Sequence, residues 1–563
     1  MEDKPWLKHY DPQVPASLAP YPDKSVFSFL DEAAARFPDR PCTILRGCVL
    51  TYRKMKELSG RMAAALADLG IRKGDRVGIA MPNIPQFVIA YYGILKAGGV
   101  VVCTNPLYTP RELEHQLRDS GVELLLVMSG FYRRMKAAQS SSDLKTLVVT
   151  NLKEYLPGRL RLLFTLVKES KGGHRVQLAP GDLWMKDLLA MPAEPPKVSV
   201  TGRDPALLQY TGGTTGLSKG AVLSHGNLVA NTLQMRAWFH SMREGQERCL
   251  AAIPMFHVYG MMGAMLLSTI SAASIVMVPD PRDLKDVLEN IRQYRPTAFP
   301  GVPTLYNAIN NHPDVRSGKY NLASIRACFS GAAPLLLATR QQFEKLSGGK
   351  LIEAYGLSEA SPATHCNPLM GVNKEGSIGL PLPDVECRII SVEDGLTPLP
   401  PGEIGELVLR GPQVFQGYWN LPEETAAALR PDPDGGGPWL YTGDIARMDQ
   451  DGYFYIVDRK KDVIKPGGFQ VWPREVEEVL LSHPKVKEAA VAGVPDAYRG
   501  ETVKAWIVPR PGESLVESEV KEFCDARLAG YKIPAQIEFR AELPKSAVGK
   551  VLRRELARRP PGA

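Results

Sequence analysis

Residues 210–220 read YTGGTTGLSKG: four glycines, three threonines, a serine and a lysine set between two apolar runs. Glycine lets successive backbone N–H groups converge on one point, and threonine and serine hydroxyls add donors, so a stretch of this kind can cradle a phosphate. A flexible surface loop is the competing reading, and the hydroxyls and lysine among the glycines favour phosphate over it. A Walker A loop is excluded, because Lys219 is followed by Gly220 and not by the Ser or Thr that opens a helix. A kinase glycine-rich loop is excluded as well, since no HRD or DFG element follows.

The elements that must position this loop are legible around it. LLQY reads as the end of a strand, and AVLSHGNLVANTLQ as a strand end followed by a helix. The same alternation runs through RVGIAM, IPQFVIAYYGILKAGG and VVVCTNP, and again through ASIVMVP, DLKDVLENIRQY and PTAFPGVP. Strand-like runs alternating with amphipathic helices predict α/β architecture with largely parallel sheets. After about Gly379 the texture changes to short strands, VECRII, GELVLRG and GYFYIVDR, separated by Gly, Pro and Asp, which predicts a β-rich subdomain. Beyond Arg459 the pattern becomes helix, strand, strand, helix, strand, the outline of a compact α+β domain. The expected organisation is a large N-terminal domain of stacked α/β sheets over residues 1–458, with its β-rich part at 380–458. A hinge at 459–461 and a small mobile α+β domain at 462–563 complete it.

A chain of 563 residues must hold more than one core. Its charged content of 23% is that of a globular protein, and a net charge of +7 is too mild to argue for nucleic acid while suiting anionic ligands or an anionic membrane surface. None of the eight cysteines has CxxC spacing, which argues against zinc and for a reduced, cytoplasmic protein; the charged, proline-rich start has no signal-peptide core. The uncharged run Met261–Val278 is long enough to raise a membrane span, but serines and a threonine interrupt it, and a buried helix, a turn and a strand is the better reading. PGRLRLLFTLVKESKG, residues 157–172, mixes leucines with arginines and lysines; it is either a helix packed on the large domain or one lying on a membrane surface.

Further motifs make the chain recognisable. YTGGTTGLSKGAVLSH, IPMFHVYG, FSGAAPL, EAYGLSEA, YTGDIA, GYFYIVDRKKDVIKPGGFQVWPREVE and PKSAVGKVLRREL resemble, in order, the signatures of the adenylate-forming acyl-CoA synthetase superfamily. The resemblance runs from about Phe27 to Leu556 and is strongest to bacterial long-chain fatty acid–CoA ligases. It implies an acid–thiol ligase that makes acyl-AMP from a fatty acid and ATP with Mg²⁺, then hands the acyl group to coenzyme A. A medium-chain or aryl-acid ligase, an enzyme loading a carrier protein, and a silent ATP- or acyl-binding protein are the alternatives, and the resemblance leaves a homodimer open.

The resemblance also implies roles for single residues. Thr211, Gly212, Gly213, Thr214, Thr215, Gly216 and Ser218 hold the β- and γ-phosphates, with Thr214 beside the metal, while Lys219 either adds charge there or only closes the loop. Glu359 is the metal carboxylate, although an acid in a turn, taken alone, reads as a surface group. Tyr355, next to Gly356, stacks on adenine opposite Gly331, Ala332 and Ala333, and Ser358 keeps a hydroxyl where many relatives have Thr. Asp444 accepts the ribose hydroxyls, Arg459 reaches the ribose, and Lys550 bridges carboxylate and α-phosphate. His257 gates the acyl and pantetheine tunnels among Met255, Met261, Met262 and Met265, methionines that either line an alkyl channel or simply fill core. Lys465, Gly467 and Gly468 serve the second step, in which backbone approaches the thiol arm, so the small domain turns about Lys460–Lys461 between steps.

Overall fold

The computed structural model describes residues 4–191, 193–211, 218–432, 435–466, 470–496, 498–546 and 549–557. It divides into two compact units: Leu7–Glu386 with Arg410–Pro438, and Met1–Trp6 with Cys387–Leu409 and Trp439–Ala563.

The larger unit is built on two mixed sheets, one of nine strands and one of eight. The eight-stranded sheet carries Val100–Cys103, Leu124–Met128 and Thr146–Thr150 in its parallel part, and these short apolar runs are buried at nearly every position. That pattern is what helices covering both faces of a parallel sheet require. The parallel part of the nine-stranded sheet includes Arg248–Ala251, Ala298–Gly301, Ala327–Ser330 and Lys350–Gly356. Phe299, Tyr306, Phe343 and Leu351 form part of the core along it.

Local chemistry sets the helix ends. Thr109 Oγ1 accepts from the Glu112 amide while Glu112 accepts from the Thr109 amide, and Gly121 closes the helix Pro110–Ser120 in the left-handed region at φ 61°. The helix Pro85–Lys96 is buried on every face, as its run of apolar residues demands. Its single charge, Lys96, ends against Asp31 at 2.8 Å, and burial lowers its pKa. The run from Met261 to Val278 is helical to Ile270, turns at Ala272 with φ 46°, and continues as the strand Ser274–Met277. Among the described residues no helix is long and apolar enough to cross a membrane.

The smaller unit contains an antiparallel arrangement of Gly405–Arg410, Trp439–Met448 and Phe454–Arg459. Its C-terminal part follows the expected order: helix Pro473–Leu481, strands Val486–Asp496 and Gly500–Pro509, helix Glu517–Asp525 and strand Gln536–Phe539. Val476 and Leu480 bury one face of the first helix with Val491, Val503 and Ile507.

Candidate active site

The glycine loop joins two strands of one hairpin. Pro205–Thr211 and Lys219–Ser224 pair antiparallel, with Tyr210 opposite Gly220 and Thr211 opposite Lys219. Gly212, Gly213, Thr214, Thr215 and Gly216 lie outside the described residues. At the base of the hairpin the Ser218 carbonyl meets His115 Nε2 at 2.8 Å. Ser224, after the second strand, caps the helix His225–Trp238 by exchanging bonds with Asn227. The Lys219 ammonium pairs with Glu424 and lies 5.2 Å from the centre of the Tyr418 ring.

Tyr418 connects that hairpin to Glu359. It sits opposite Ala221 in a short strand pairing, and its hydroxyl donates to Glu359 Oε1 at 2.7 Å. The Phe415 amide donates to the Glu359 carbonyl at 2.8 Å, so both backbone and side chain of the acid are fixed. Burial and the Glu359 charge raise the Tyr418 pKa, so the phenol stays protonated and donating. Among the described residues this leaves Glu359 Oε2 without a partner. No group of three or more His, Cys, Asp or Glu is assembled among the described residues to form a metal cage.

Tyr355 lies on the last turn of pleat of Lys350–Gly356, opposite His365, with the two rings 5.9 Å apart and nearly edge to face. His365 is fully buried, and burial holds its imidazole down to about 3, so it is neutral. Gly331, Ala332 and Ala333 follow the neighbouring strand Ala327–Ser330, and Ala332 takes φ 69°, a left-handed conformation that an alanine adopts only under outside constraint. Ser358 stands with Glu359 in a short helical turn. Gly356 is required by packing: a Cβ there would lie 2.0 Å from the Pro362 carbonyl oxygen.

His257 follows the strand Arg248–Ala251, and its Nδ1 accepts from the Tyr259 amide at 3.2 Å, which places the ring proton on Nε2. The ring is only partly exposed, and burial pushes its pKa to about 4, so it is a neutral imidazole and not a cation. Asn83 pins the same loop, donating to the carbonyls of Ala251 and Ile253 and accepting from the Met255 amide. Beyond it, Met255, Met261, Met262 and Met265 are fully buried. A narrow, almost wholly apolar cavity opens near Gly263, lined also by Phe239, Leu267, Ala298 and Phe329.

The smaller unit gathers the remaining candidates. Asp444 and Arg459 face each other across paired strands and form an ion pair at 3.1 Å, with Asp444 buried. Lys460 pairs with Glu406 at 2.7 Å, and Glu406 also accepts from the Gly443 amide. Lys550 rides on a tight hairpin: Lys545 bridges Val551, the Lys550 amide donates to Ser546 Oγ, and Gly549 takes φ 76°. Lys550 is exposed as a residue. Lost hydration pushes its ammonium down to about 8; the charge of Arg459 adds to this, and Asp444 and Asp462 oppose it. Lys465 is exposed, with its amide bonded to Glu501 at 2.9 Å. Gly467 and Gly468 lie outside the described residues.

The structure thus brings together residues in two sets: Lys219 with Glu359 through Tyr418, and Lys550 with Asp444 and Arg459. Tyr418, Glu424, Asn83 and Glu406 escape sequence reasoning, because each acts through a partner far away along the chain. Tyr418 alone carried a local signal, an aromatic following glycine just beyond a strand-like run.

A family profile described as AMP-binding enzyme matches residues 30–419, and one described as AMP-binding enzyme C-terminal domain matches residues 475–550. The long-chain-fatty-acid–CoA ligase of Bacillus subtilis (strain 168) is 45% identical over 561 residues, covering 98% of this chain and 97% of that protein. The protein of the same name from Salmonella typhimurium (strain LT2) is 38% identical over 558 residues, covering 98% of each. The crystal structure of ATP-bound MatB from Rhodopseudomonas palustris superimposes with a TM-score of 0.80 at 28% identity, covering 95% of this chain and 98% of that one.

The overlap at Gly356 gives a direct test of its structural part. Gly356→Ala is expected to cost about 1–3 kcal/mol, as overpacking does. Urea unfolding should show a lower midpoint with an unchanged slope; an unshifted midpoint would leave ligand contact as the reason for the glycine.

Proposed function

Because the chain belongs to the family of AMP-binding enzymes, we propose that it is an ATP-dependent long-chain fatty acid–CoA ligase that carries out two steps. The observation that carries this reading is the hairpin that brings Lys550 within electrostatic reach of Asp444 and Arg459. In the first step a carboxylate oxygen attacks the α-phosphorus of ATP, the bond to pyrophosphate breaks, and acyl-AMP forms. Both reactants are anions, so the protein must neutralise and align them and need not supply a nucleophile. Lys550 supplies a positive charge between the carboxylate and the α-phosphate. Asp444, with Arg459, receives the ribose hydroxyls, Tyr355 stacks on the adenine, and Thr211 and Ser218 with the loop between them hold the outer phosphates.

The residues present fit a magnesium ion. Glu359 has one oxygen held by Tyr418 and the other without a partner among the described residues, and no all-protein cage surrounds it. A single carboxylate shared with phosphates and water is the usual way a protein holds Mg²⁺. When bound, the ion neutralises phosphate charge. Glu359, with Thr214 as its companion in the loop, would hold it.

In the second step the coenzyme A thiol gives up its proton, the sulfur bonds to the acyl carbon, and AMP leaves. Lys465, Gly467 and Gly468 belong to this step in the proposal, with residues 462–563 turning against 1–458 about 459–461. His257, neutral and held by the Tyr259 amide, shapes the passage for the acyl chain and thiol arm. The acyl tail is assigned to the apolar interior around Gly263 and the buried methionines of residues 255–265, where the cavity present, about 20 Å³, must widen to admit it.

We also assign membrane contact to the helical stretch beginning at Gly158. Phe164 alone in residues 158–168 is buried, while Leu162 is 62% and Leu166 is 74% exposed. Arg159, Arg161, Lys168 and Lys171 are exposed around these leucines. An exposed apolar ridge edged by cations is the composition of a helix lying in the plane of an anionic lipid surface.

Five outcomes test these assignments. Lys550→Ala should abolish acid-dependent ATP–pyrophosphate exchange and largely spare thioester formation from supplied acyl-AMP; equal loss of both would remove the assigned role. In the wild type, kcat/KM for ATP should fall as pH rises through about 8, because only the charged ammonium serves between two anions. Values of kcat/KM should rise with acyl length by about four-fold per methylene, the equivalent of about 0.8 kcal/mol, until the widened passage is full. Gly263→Ala, whose Cβ would meet the Phe329 ring at 3.0 Å, should shift the optimum to shorter acids. A flat length profile counts against the long-chain reading. Leu162→Asp with Leu166→Asp should release the protein from vesicles of anionic lipid without altering turnover of detergent-dispersed acid; unchanged sedimentation would remove the membrane assignment.

A further inference from the structure

Arg553 lies three residues after Lys550, at the start of the short helix Arg553–Ala557. Its guanidinium grips Glu477 with both arms, Nε to Oε1 at 2.9 Å and Nη2 to Oε2 at 2.6 Å. The remaining nitrogen, Nη1, donates to Asp458 Oδ1 at 3.2 Å and Asp462 Oδ2 at 3.3 Å. These carboxylates are not equivalent. Glu477 and Asp462 follow the Lys460–Lys461 dipeptide in the chain, whereas Asp458 precedes it. Asp458 is almost wholly buried and also accepts from the Arg474 amide at 2.6 Å and the Arg459 amide at 2.7 Å.

The hairpin that carries Lys550 is tied into the same region. The Leu552 amide donates to the Pro544 carbonyl at 2.9 Å, and Lys545 pairs with Glu488 at 2.6 Å. Arg553 therefore anchors the C-terminal foot of that hairpin. A planar fork of five donors is suited to this, since it can satisfy several carboxylates at once and so fix direction as well as charge.

We propose that Arg553 is a positioning residue, a latch whose bond to Asp458 holds Lys550 in the place where acyl-AMP is made. The proposal rests on the two-step reading above. If residues beyond 461 turn between the steps, the Arg553–Glu477 pair turns as a body, and the bonds that Arg553 and Arg474 make to Asp458 must break. The latch thus weights the balance between the two states, favouring the first. Cutting it should slow the first half-reaction and leave the second unaffected or faster.

The test uses the full-length enzyme and measures the half-reactions separately: fatty-acid-dependent ATP–pyrophosphate exchange, and thioester formation from supplied acyl-AMP and coenzyme A. Asp458→Asn retains an acceptor for the Arg474 amide but loses the charge that Arg553 binds. It is expected to lower exchange about ten-fold, within the usual range for coupled equilibria, while thioester formation holds or rises. Arg553→Lys keeps a charge but cannot reach three carboxylates, and should shift the ratio of the two rates in the same direction. The double variant should be no worse than the more affected single one, since both remove one contact. Parallel loss of both half-reactions, or an unchanged ratio in Arg553→Lys, would overturn the latch, and Arg553→Lys decides if Asp458→Asn fails to fold. A wild-type enzyme with no exchange at all would instead remove the ligase reading on which the latch rests.

Discussion

Bringing an anion up to another anion is the constraint on which the rest depends. A site that receives a carboxylate and a triphosphate needs concentrated positive charge, and concentrated positive charge destabilises the protein that holds it. The chain meets this by matching its cations to carboxylates: Lys219 to Glu424, Arg459 to Asp444, Lys460 to Glu406, and Arg553 to Glu477. Lys550 is the exception in kind. It stands near Arg459 and Arg553, and lost hydration, with the charge of these two arginines, lowers its pKa. A group in that condition gains most when an anion arrives, which is the property an enzyme of this chemistry needs.

In the larger unit the candidate groups follow the ends of strands that have parallel neighbours. Gly331 follows the end of Ala327–Ser330, Tyr355 and Gly356 end Lys350–Gly356, His257 lies beyond Arg248–Ala251, and the glycine loop continues Pro205–Thr211. In open α/β sheets the carboxyl ends of strands are where ligands bind, since loops there are free to vary while the sheet fixes their bases. The rigid supports are themselves polar and buried. Asn83 uses three hydrogen bonds to hold one loop, and Tyr259 spends its hydroxyl on the carbonyls of Gly301 and Phe329. Such groups are stable in the interior because their partners are all present, and they keep neighbouring backbone in one arrangement.

Several conformations are tolerable only for a reason beyond the local chain. Ala332 at φ 69° and Gly356 packed against the Pro362 carbonyl both border the assigned adenine pocket. Strain and close approach of this kind cluster where a surface is shaped for something other than its own stability. Burial likewise holds the imidazoles of His257 and His365 uncharged, so neither adds a cation to its own surroundings.

By itself the sequence determined the order of strands and helices and, through its motifs, the family to which the chain belongs. These are local properties. A period of two or 3.6, a glycine run or a capping Thr109 is decided by neighbours within a few residues. Only the tertiary structure decided which side chains restrain the chemical groups. Tyr418 reaches Glu359 across 59 residues, Arg553 reaches Asp458 across 95, Asn83 reaches Met255 across 172, and Lys219 reaches Glu424 across 205. The division into units was hidden for the same reason, because Cys387–Leu409 and Trp439–Ala563 join one compact body around an intervening segment that belongs to the other. A hydrogen bond depends on atoms meeting within about 3 Å, and for residues this far apart that meeting is fixed by how the sheets and helices pack, which no local pattern of residue types encodes.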